Sequence, residues 1–249
     1  MAPAPRHGKG TRVLLDEKDL SDFLREVNVS ASMDPAEVTT FGDNDRNYIP
    51  GLRDGTFSFD GLFSASTTPA DDVANYLDGA LGGSTKQVLT VDLERSTGGR
   101  ALMMRADDTQ YDISAPVSDI VSVSVDAQAS DGYRGGRILR PLAAATSTGS
   151  NSAVATAGTT AAGGTTGGGV AHLHVTAFGS TKNGATVKVQ HSTSAGSTWA
   201  DLITFSTLAG DPTFQRSTVA GTIKEQVRAT ISALSSGAGS TAKSITHAV

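Results

Sequence analysis

The sequence of 249 residues contains no cysteine, which excludes a disulfide framework, a cysteine nucleophile and a thiolate zinc site. Its longest apolar runs span four residues, so no membrane-spanning helix is predicted. Residues 1–12 are basic and rich in proline and glycine, and no apolar stretch follows them, so no signal peptide is expected. Aromatic residues make up only 5% of the chain, against 28 glycines. This composition favours short strands and many turns over long helices.

The net charge of −5 is distributed unevenly along the chain. Residues 1–145 contain 14 Lys/Arg against 22 Asp/Glu, a net charge of −8. Residues 146–249 contain 6 Lys/Arg against 3 Asp/Glu, a net charge of +3. The acidic balance argues against non-specific nucleic-acid binding. The asymmetry indicates two modules with different surroundings.

Apolar and polar residues alternate in four segments of the first half, residues 27–33, 57–63, 89–93 and 121–127. This period of two predicts antiparallel strands that are covered on one face only. One helix is expected between these strands. The sequence offers an N-cap residue, a proline at the first helical position and two aspartates in the first turn, and apolar residues at helical spacing then lead to a closing glycine pair. These residues are Thr68, Pro69, Asp71, Asp72, Val73, Tyr76, Leu77, Ala80, Gly82 and Gly83.

A stretch composed almost wholly of Ala, Ser, Thr and Gly follows residue 142. It offers little apolar surface, so a flexible connector is expected, with a weak strand near residues 152–156. Alternation then resumes, with Asn183-Gly184 as a turn, and predicts a small sandwich. The predicted fold class is mainly β: a sandwich or barrel with one flanking helix, then a second all-β sandwich. The predicted division is 1–142, a connector at 143–169, and a C-terminal domain at 170–249.

The histidines offer the first candidate chemistry. His172 and His174 flank one residue of a predicted strand and therefore point to the same face, and His191 is a candidate third metal ligand. Ala171, Leu173 and Val175, on the opposite face, are apolar and are expected to face the core, so the two histidines are predicted to face solvent. No histidine lies in a nucleophile-elbow context. Neither a metal nor another cofactor is therefore predicted.

Acidic residues offer the second candidate chemistry. The run from Asp43 to Asn47 resembles the start of a calcium loop, with Asp54 at its twelfth position, but Tyr48 stands where that loop needs glycine. A polar loop between strands 37–41 and 56–63 is the preferred interpretation. Asp107 and Asp108 are expected in a hairpin turn, as are Asp131 and Gly132. Residues 82–86 resemble a phosphate cradle, yet they close a helix instead of opening one. No enzymatic activity is predicted.

Two aromatic residues of the second module offer a third possibility. Trp199 and Phe205 are candidates for a sugar-stacking platform, although aromatic residues of small sandwiches more often belong to the core. Trp199 is retained as a candidate surface contact for glycans. A carbohydrate-binding protein that acts in cell-surface adhesion is therefore the alternative function.

Two sequences in the first half carry a family resemblance, VTTFGD at residues 38–43 and YIPGLRDGTFSFDGLF at residues 48–63. With VLLD at 13–16, DLS at 19–21 and SAPVSD at 114–119, they resemble the major tail tube proteins of long-tailed (siphovirus-type) bacteriophages. The resemblance covers roughly residues 11–142. The segments VAHLHV, VKVQHS and STWADL of the second module, at 170–175, 187–192 and 197–202, are similar to the extra domain that some tail tube proteins carry.

The resemblance implies a structural virion protein that is made in the bacterial cytoplasm and resides in the phage tail. Six copies would form a ring whose inner strands join into one β-barrel, and stacked rings would conduct DNA from capsid to host. The implied partners are further copies, the tail tip, tape measure and tail terminator proteins, and DNA that passes without specific binding. The C-terminal domain would decorate the tube exterior and is a candidate contact for host surface glycans.

The loop that joins the two motif sequences is the candidate contact between subunits or rings, because it is long and polar and two tight turns, at 50–51 and 54–55, are expected to fix its exit. Its candidate residues are Phe41, Gly42, Asp43, Tyr48, Pro50, Gly51, Asp54 and Gly55. Polar strand faces such as that of Ser122, Ser124 and Asp126 suit a wet channel wall. The acidic first module is expected to repel the DNA backbone and let it slide.

Overall fold

The structure is a computed structural model that describes residues 7–64, 73–145, 147–155, 165–177, 184–193, 198–209, 212–234 and 242–248, the last segment by its backbone. The predicted helix-start residues Thr68, Pro69, Asp71 and Asp72 lie outside the described residues, as does Asn183.

The chain is mainly β, as predicted, and contains a single α-helix within the ranges above. The strands are β1 Arg12–Leu15, β2 Lys18–Asp19, β3 Leu24–Glu37, β4 Tyr48–Leu62, β5 Gln87–Asp92, β6 Arg100–Ser114, β7 Ser122–Ala129, β8 Arg134–Ala145, β9 Gly149–Ser150, β10 Val154–Ala155, β11 Gly169–Ala177, β12 Ala185–Ser192, β13 Ala200–Thr204, β14 Thr213–Val219, β15 Gln226–Leu234 and β16 Ala242–Ala248; the helix α1 is Val73–Ala80.

The chain divides into two compact units. Unit 1 consists of Met1–Ser21, Val88–Met103 and Arg134–Val249, and unit 2 consists of Asp22–Gln87 and Met104–Tyr133. Strand β6 therefore contributes residues 100–103 to unit 1 and residues 104–114 to unit 2.

Unit 2 contains a four-stranded antiparallel sheet in the order β3-β4-β7-β6. The alternation that the sequence predicts is present, since Phe57 and Phe59 are buried on one face while Thr56 and Asp60 are exposed on the other. Helix α1 buries Val73 and Leu77, and it ends just before Gly82, whose φ of 70° suits glycine. The turn after β7 contains Gly132 at φ 72°, as expected for Asp131-Gly132.

Unit 1 is built from two antiparallel sheets. In one, β11 pairs with β14 and β16, and β16 pairs with β8. In the other, β15 pairs with β12, β9 and β10, and β12 pairs with β13. A single apolar core contains residues of both sheets, among them Leu139, Ala171, Leu173, Val187 and Ala229. Unit 1 is therefore a β-sandwich, and the short strand β10 lies within the weak strand that the sequence predicts.

Candidate assembly surfaces of the four-stranded sheet

One face of the four-stranded sheet is polar along two adjacent rows of paired residues. Glu26 on β3 lies opposite Asp60 on β4, which lies opposite Ser124 on β7 and then Asp112 on β6. The adjacent row across the same strands is Asn28, Ser58, Asp126 and Gln110. We call these eight residues the polar face. It includes Ser124 and Asp126, which the sequence assigned to a wet surface.

Unit 2 is much more acidic than the linear charge split suggests. It contains 17 Asp/Glu and 5 Lys/Arg, a net charge of −12, whereas unit 1 contains 8 against 15, a net charge of +7. The difference arises because the chain crosses between the units more than once. Four of the acidic residues, Glu26, Asp60, Asp112 and Asp126, lie on the polar face.

Asp107 and Asp108 do not form the predicted hairpin turn, because β6 continues through both residues. Their neighbouring positions in a strand place them on opposite faces. Asp107 accepts a 2.5 Å hydrogen bond from Lys86 Nζ, which lowers the pKa of its carboxyl group. Asp108 is 9% exposed, and burial raises its pKa to about 6. The Gln87 amide, oriented with its nitrogen toward Asp108, donates to that carboxylate at 2.8 and 3.1 Å.

A groove of about 290 Å³ lies at the end of the sheet where β6 turns into β7. Its polar lining residues include one guanidinium, two carboxylates and three hydroxyls, those of Arg25, Asp60, Asp112, Ser114, Ser122 and Ser124. The groove thus overlaps the polar face and extends it to the edge of the sheet.

The opposite end of the sheet projects as a two-stranded ribbon, residues 31–54, which we call the arm. Ser30 pairs with Thr56, and beyond this pair β3 and β4 form backbone pairs only with each other among the described strands. All 24 residues of the arm are exposed. An isolated two-stranded hairpin has little stability of its own in water. An exposed ribbon such as the arm is therefore expected to pack against a partner.

Hydrogen bonds preorganise the tip of the arm, residues 38–47. The Asp43 carboxylate accepts from the Thr40 backbone N–H at 2.7 Å and from the Thr40 hydroxyl at 3.0 Å, which lowers the pKa of Asp43. The Asp43 N–H donates in turn to the Thr40 carbonyl at 3.0 Å. Phe41 and Gly42 therefore occupy the centre of a tight turn, and the Phe41 side chain is fully exposed.

The remaining candidate residues of this region do not form the expected turns. Pro50, Gly51, Asp54 and Gly55 all lie inside strand β4, and β3 ends at Glu37 instead of Phe41. Gly51 is nonetheless required by packing, since a Cβ atom there would lie 2.0 Å from the Asp34 carbonyl oxygen.

At the base of the arm, Gly55 is buried, and a Cβ atom there would lie 3.2 Å from that of Tyr133 and 3.3 Å from that of Ala129. The Gln128 amide donates to the Asp54 carboxylate and, at 3.1 Å, to the Gly55 carbonyl. These contacts attach the first residues of the arm to the sheet.

The prediction that His172 and His174 face solvent is wrong. Both are buried, because β11 is covered on its second face as well. The Thr90 hydroxyl lies 3.1 Å from His172 Nδ1 and 2.8 Å from His174 Nε2, and His174 Nδ1 lies 2.6 Å from the Asp16 carbonyl oxygen. Burial lowers the pKa of His174 to about 4. We call these four residues the histidine network.

His191 does not complete a metal site with the other two histidines. Its Nδ1 accepts from the Lys224 N–H at 3.3 Å, and partial burial lowers its pKa. Across the described ranges, no three His, Asp or Glu side chains are grouped so as to hold a metal ion. In the same ranges, no helix has the length and apolar character needed to cross a membrane.

The proposed aromatic platform does not form. Phe205 is buried in the sandwich core, and the Arg228 guanidinium carbon lies 4.1 Å from the Trp199 ring centroid. A cation at this distance occupies one face of the indole. Phe205 therefore belongs to the core, and Trp199 stays a candidate surface contact with one covered face.

The end of the sheet opposite the arm exposes apolar residues that were not among the predicted site residues. Ile113, Val117 and Ile120, in and around the β6–β7 turn, are exposed, with the Val117 side chain fully so. Alternation identifies the strand position of Ile113. Nothing local distinguishes Val117 or Ile120 from ordinary turn residues, because their exposure depends on how the strands pair.

Comparisons with known proteins find similarity in structure alone. No family model matches the sequence, and no curated protein matches it. The solved structures that resemble it include chains of a gene transfer agent particle, of a phage tail tube and of a phage adsorption hub. A chain from the virion of the native gene transfer agent particle is 14% identical over 53% of this chain and 98% of its own, with a TM-score of 0.43. The SPP1 tail tube protein is 12% identical over 53% of this chain and 78% of its own, with a TM-score of 0.43.

A further match extends over nearly the whole chain. The SPP1 Dit protein, described as a hub of the adsorption apparatus of phages that infect Gram-positive bacteria, is 13% identical over 96% of this chain and 98% of its own, with a TM-score of 0.39. The chain is thus similar to these three solved structures at low identity.

Proposed function

We propose that the chain is a structural subunit of a bacteriophage tail tube, in which copies join into rings and rings stack. The observation that carries the proposal is the four-stranded sheet, whose β3 edge and whose β6 edge at residues 109–114 pair with no described strand, and which has one acidic polar face. Exposed edge strands are normally protected or paired, because their free N–H and C=O groups recruit other strands. A closed ring of sheets would pair every edge.

The directions of the strands favour such a ring. In the order β3-β4-β7-β6 every neighbour is antiparallel, so the two outer strands run in opposite directions. The β3 edge of one copy would therefore pair in antiparallel fashion with residues 109–114 of β6 in the next, and the alternation would continue around the ring. Six copies, the number that the family resemblance implies, would close a barrel of about 24 strands.

The polar face would line the channel in this arrangement. Its carboxylates would repel DNA phosphates, so DNA would pass without being held. The net charge of −12 in unit 2 supports the same role. A net basic lumen in an assembled tube would contradict it.

The arm is the proposed contact between subunits or rings, and Phe41 is its most exposed apolar side chain. We expect Phe41→Ala to leave the subunit folded and to abolish or strongly reduce tube formation, as measured by sedimentation. Leu81→Ala, a change at another exposed apolar residue outside the arm, serves as the control. Unchanged assembly of Phe41→Ala would remove this role from the tip.

The remaining parts of the proposal concern partners and location. The subunit would be made in the bacterial cytoplasm, reside in the virion tail, and contact tail tip, tape measure and tail terminator proteins. The C-terminal sandwich, residues 170–249 in the sequence-based division, would decorate the exterior and is the candidate contact for host glycans through Trp199. The subunit would be structural and would have no enzymatic activity.

Negative-stain electron microscopy of the concentrated protein tests the proposal. Hollow tubes built from stacked rings are the expected result. A protein that stays monomeric at high concentration, and also in the presence of a tail-tip initiator, would contradict it. A glycan array would then test the carbohydrate-binding alternative.

A further inference from the structure

The outer face of the sheet formed by β12, β13 and β15 carries a row of polar side chains. Val189 and Ala229 lie in the sandwich core, so Gln190 and Arg228, which alternate with them, lie on the opposite face. The pairing of the strands places Arg228 beside Gln190 and Gln190 beside Asp201. A register shift just before Gln190 brings Asp201 to this face. The three side chains therefore follow one another across β15, β12 and β13.

Hydrogen bonds connect this row from end to end. Arg228 Nε and Nη2 donate to Gln190 Oε1 at 3.0 and 2.9 Å, and Gln190 Nε2 donates to Asp201 Oδ1 at 2.8 Å. Lys188 Nζ donates to Asp201 Oδ2 at 2.6 Å. The guanidinium is thus held in one orientation over the Trp199 ring, 4.1 Å from its centroid. We call these five residues the Trp–Arg row.

The backbone around Trp199 is fixed as well. The buried Ser192 hydroxyl donates to the Thr198 carbonyl at 2.8 Å, and Ala200 pairs with His191 on β12. The residues on both sides of Trp199 are therefore attached to the sheet. The ring itself is half-buried, with the guanidinium on one face. Its exposed part is an apolar surface that does not have to be ordered when a ligand binds, which lowers the entropic cost of binding.

The acceptors of the Trp–Arg row are occupied, whereas donors are left over. Both Asp201 carboxylate oxygens and the Gln190 side-chain oxygen accept the hydrogen bonds described above. The bonds from Gln190 and Lys188 lower the pKa of Asp201, so its carboxylate stays ionised. Arg228 Nη1 and the other ammonium hydrogens of Lys188 take no part in these bonds. A ligand of this surface must therefore be rich in acceptors.

The charge balance indicates that the acceptor group is an anion. Residues 146–249 contain three acidic residues, Asp201, Asp211 and Glu225, against six basic ones. Asp201 is already paired with Lys188, Asp211 lies outside the described residues, and Glu225 stands next to a lysine in the sequence. No carboxylate of the described residues forms an ion pair with Arg228. Its positive charge is therefore complementary to an anionic ligand.

We propose that the Trp–Arg row binds an acidic polysaccharide, with a sugar ring against the exposed part of Trp199 and a uronate carboxylate on the Arg228 guanidinium. The C–H groups of a pyranose ring pack on an aromatic surface, and a guanidinium–carboxylate contact is a strong, charge-assisted one. This inference rests on the glycan contact of the proposed function, and it names the class of glycan and the residues that recognise it.

Intrinsic fluorescence tests the site directly, because Trp199 is the only tryptophan of the chain. Titration of the full chain with oligosaccharides of galacturonate, glucuronate or mannuronate is expected to change the emission in a saturable way with at least one of them. The same oligosaccharide is expected to protect the ring from quenching by acrylamide. A neutral maltooligosaccharide of the same length should do neither. No response to any of the three uronates, or an equal response to the neutral sugar, would overturn the inference.

Three variants separate a specific site from general attraction between charges. Arg228→Gln is expected to weaken uronate binding about tenfold or more, because the charge-assisted contact is lost. Arg137→Gln removes the same charge from an exposed position elsewhere in unit 1 and should bind as the wild type does. Arg228→Lys keeps the charge without the planar fork and should recover only part of the loss. Equal losses in Arg228→Gln and Arg137→Gln, or full recovery in Arg228→Lys, would overturn a site built on the Trp–Arg row.

The outcomes also separate this inference from the proposed tube. Tubes that form from a chain without affinity for uronates would overturn the site and leave the tube intact. A chain that binds uronates through Arg228 but never assembles would support the site and contradict the tube.

Discussion

The proton positions of the histidine network follow from a carbonyl group that can only accept. The Asp16 carbonyl requires a proton on His174 Nδ1, so His174 Nε2 must accept from the Thr90 hydroxyl. The Thr90 oxygen then accepts from His172 Nδ1. Protonation of His174 would reverse the hydrogen bond between its Nε2 and the Thr90 hydroxyl, and it would place a cation in the core of unit 1.

The network makes the protein sensitive to acid. The pKa of His174 is about 4 in the folded state, against an ordinary value of 6.5, so the unfolded chain binds the proton first. Stability should fall by up to about 3 kcal/mol as the pH decreases from 6.5 to 4, and no further below 4. We expect His174→Gln to be less stable than the wild type at pH 7. Its free energy of unfolding, measured in urea, should nevertheless depend less steeply on pH. His7→Gln, a change at an exposed histidine, should retain the wild-type slope.

Asp108 has the opposite effect on the pH dependence. Its folded pKa of about 6 exceeds the ordinary 3.8, so the folded state binds the proton more tightly and stability is lost as the pH rises from 4 through 6. We expect Asp108→Asn to stabilise the protein by about 1–3 kcal/mol at pH 7 and to have no such effect at pH 4. Asp107→Asn next to it should cost no more than about 1 kcal/mol, because its lysine pair is exposed to solvent. Equal effects of the two variants at pH 7 would contradict this explanation.

The arm is the element whose sequence and function are most closely connected. Its apolar residues are exposed, so they contribute little to the stability of the subunit and are available to a partner. Its shape is nevertheless specified, by the hydrogen bonds of Thr40 and Asp43 at the tip and by the close approach of Gly51 to Asp34 along the ribbon. The element is therefore preorganised for binding, which lowers the entropic cost of association.

A comparison of two glycines tests whether the shape of the arm matters. Gly51→Ala would force Cβ to within 2.0 Å of the Asp34 carbonyl oxygen, whereas Gly42→Ala meets nothing closer than 4.0 Å. We expect Gly51→Ala to block assembly while the thermal midpoint of the subunit is nearly unchanged, since the arm packs on no core. Gly42→Ala should assemble normally. Normal tubes from Gly51→Ala would show that assembly tolerates a distorted arm.

Across the whole molecule, the compact units do not follow the order of the chain. Unit 1 combines β1 and β5 with the strands after residue 134, and this combination separates a unit of net charge +7 from one of −12. Strand β8 pairs with β16, and Thr90 on β5 contacts two histidines of β11. Early and late segments therefore complete each other.

This arrangement changes the expectation for a truncated chain. The composition break near residue 142 suggests that removal of residues 146–249 would leave tube assembly intact. The contacts favour the opposite result, because the truncated chain would lose β16, one of the two strands that pair with β8, and would expose Thr90 and the core residue Leu139. We expect residues 1–145 alone to show a strongly lowered thermal midpoint by circular dichroism. In the full chain, Thr90→Val removes only the contacts of the Thr90 hydroxyl with His172 and His174, so it should lower the midpoint less. A truncated protein as stable as the full chain would support the boundary at 142.

Local patterns in the sequence were sufficient for several strands and their faces, although not for β6, which continues through the turn expected at Asp107 and Asp108. Alternation at residues 57–63 and 121–127 predicts which side chains are buried, because side chains of a strand point alternately to its two faces. The same reasoning identifies the polar face and the end of α1. The arm residues were recognised as a connecting segment, although β4 turned out to begin at Tyr48 and to include Pro50, Gly51 and Asp54.

Pairing between distant segments was decided by the tertiary structure alone. Alternation places His172 and His174 on one face of β11, but only the approach of Thr90 and Asp16, more than 80 residues earlier, buries that face. The burial of Asp108 and the separation of charge between the units arise in the same way. The sequence thus determined the β-strands and the chemistry of each strand face, since both depend on neighbours along the chain. The fold decided which faces meet protein and which are left for partners, since that depends on contacts between segments far apart in the chain.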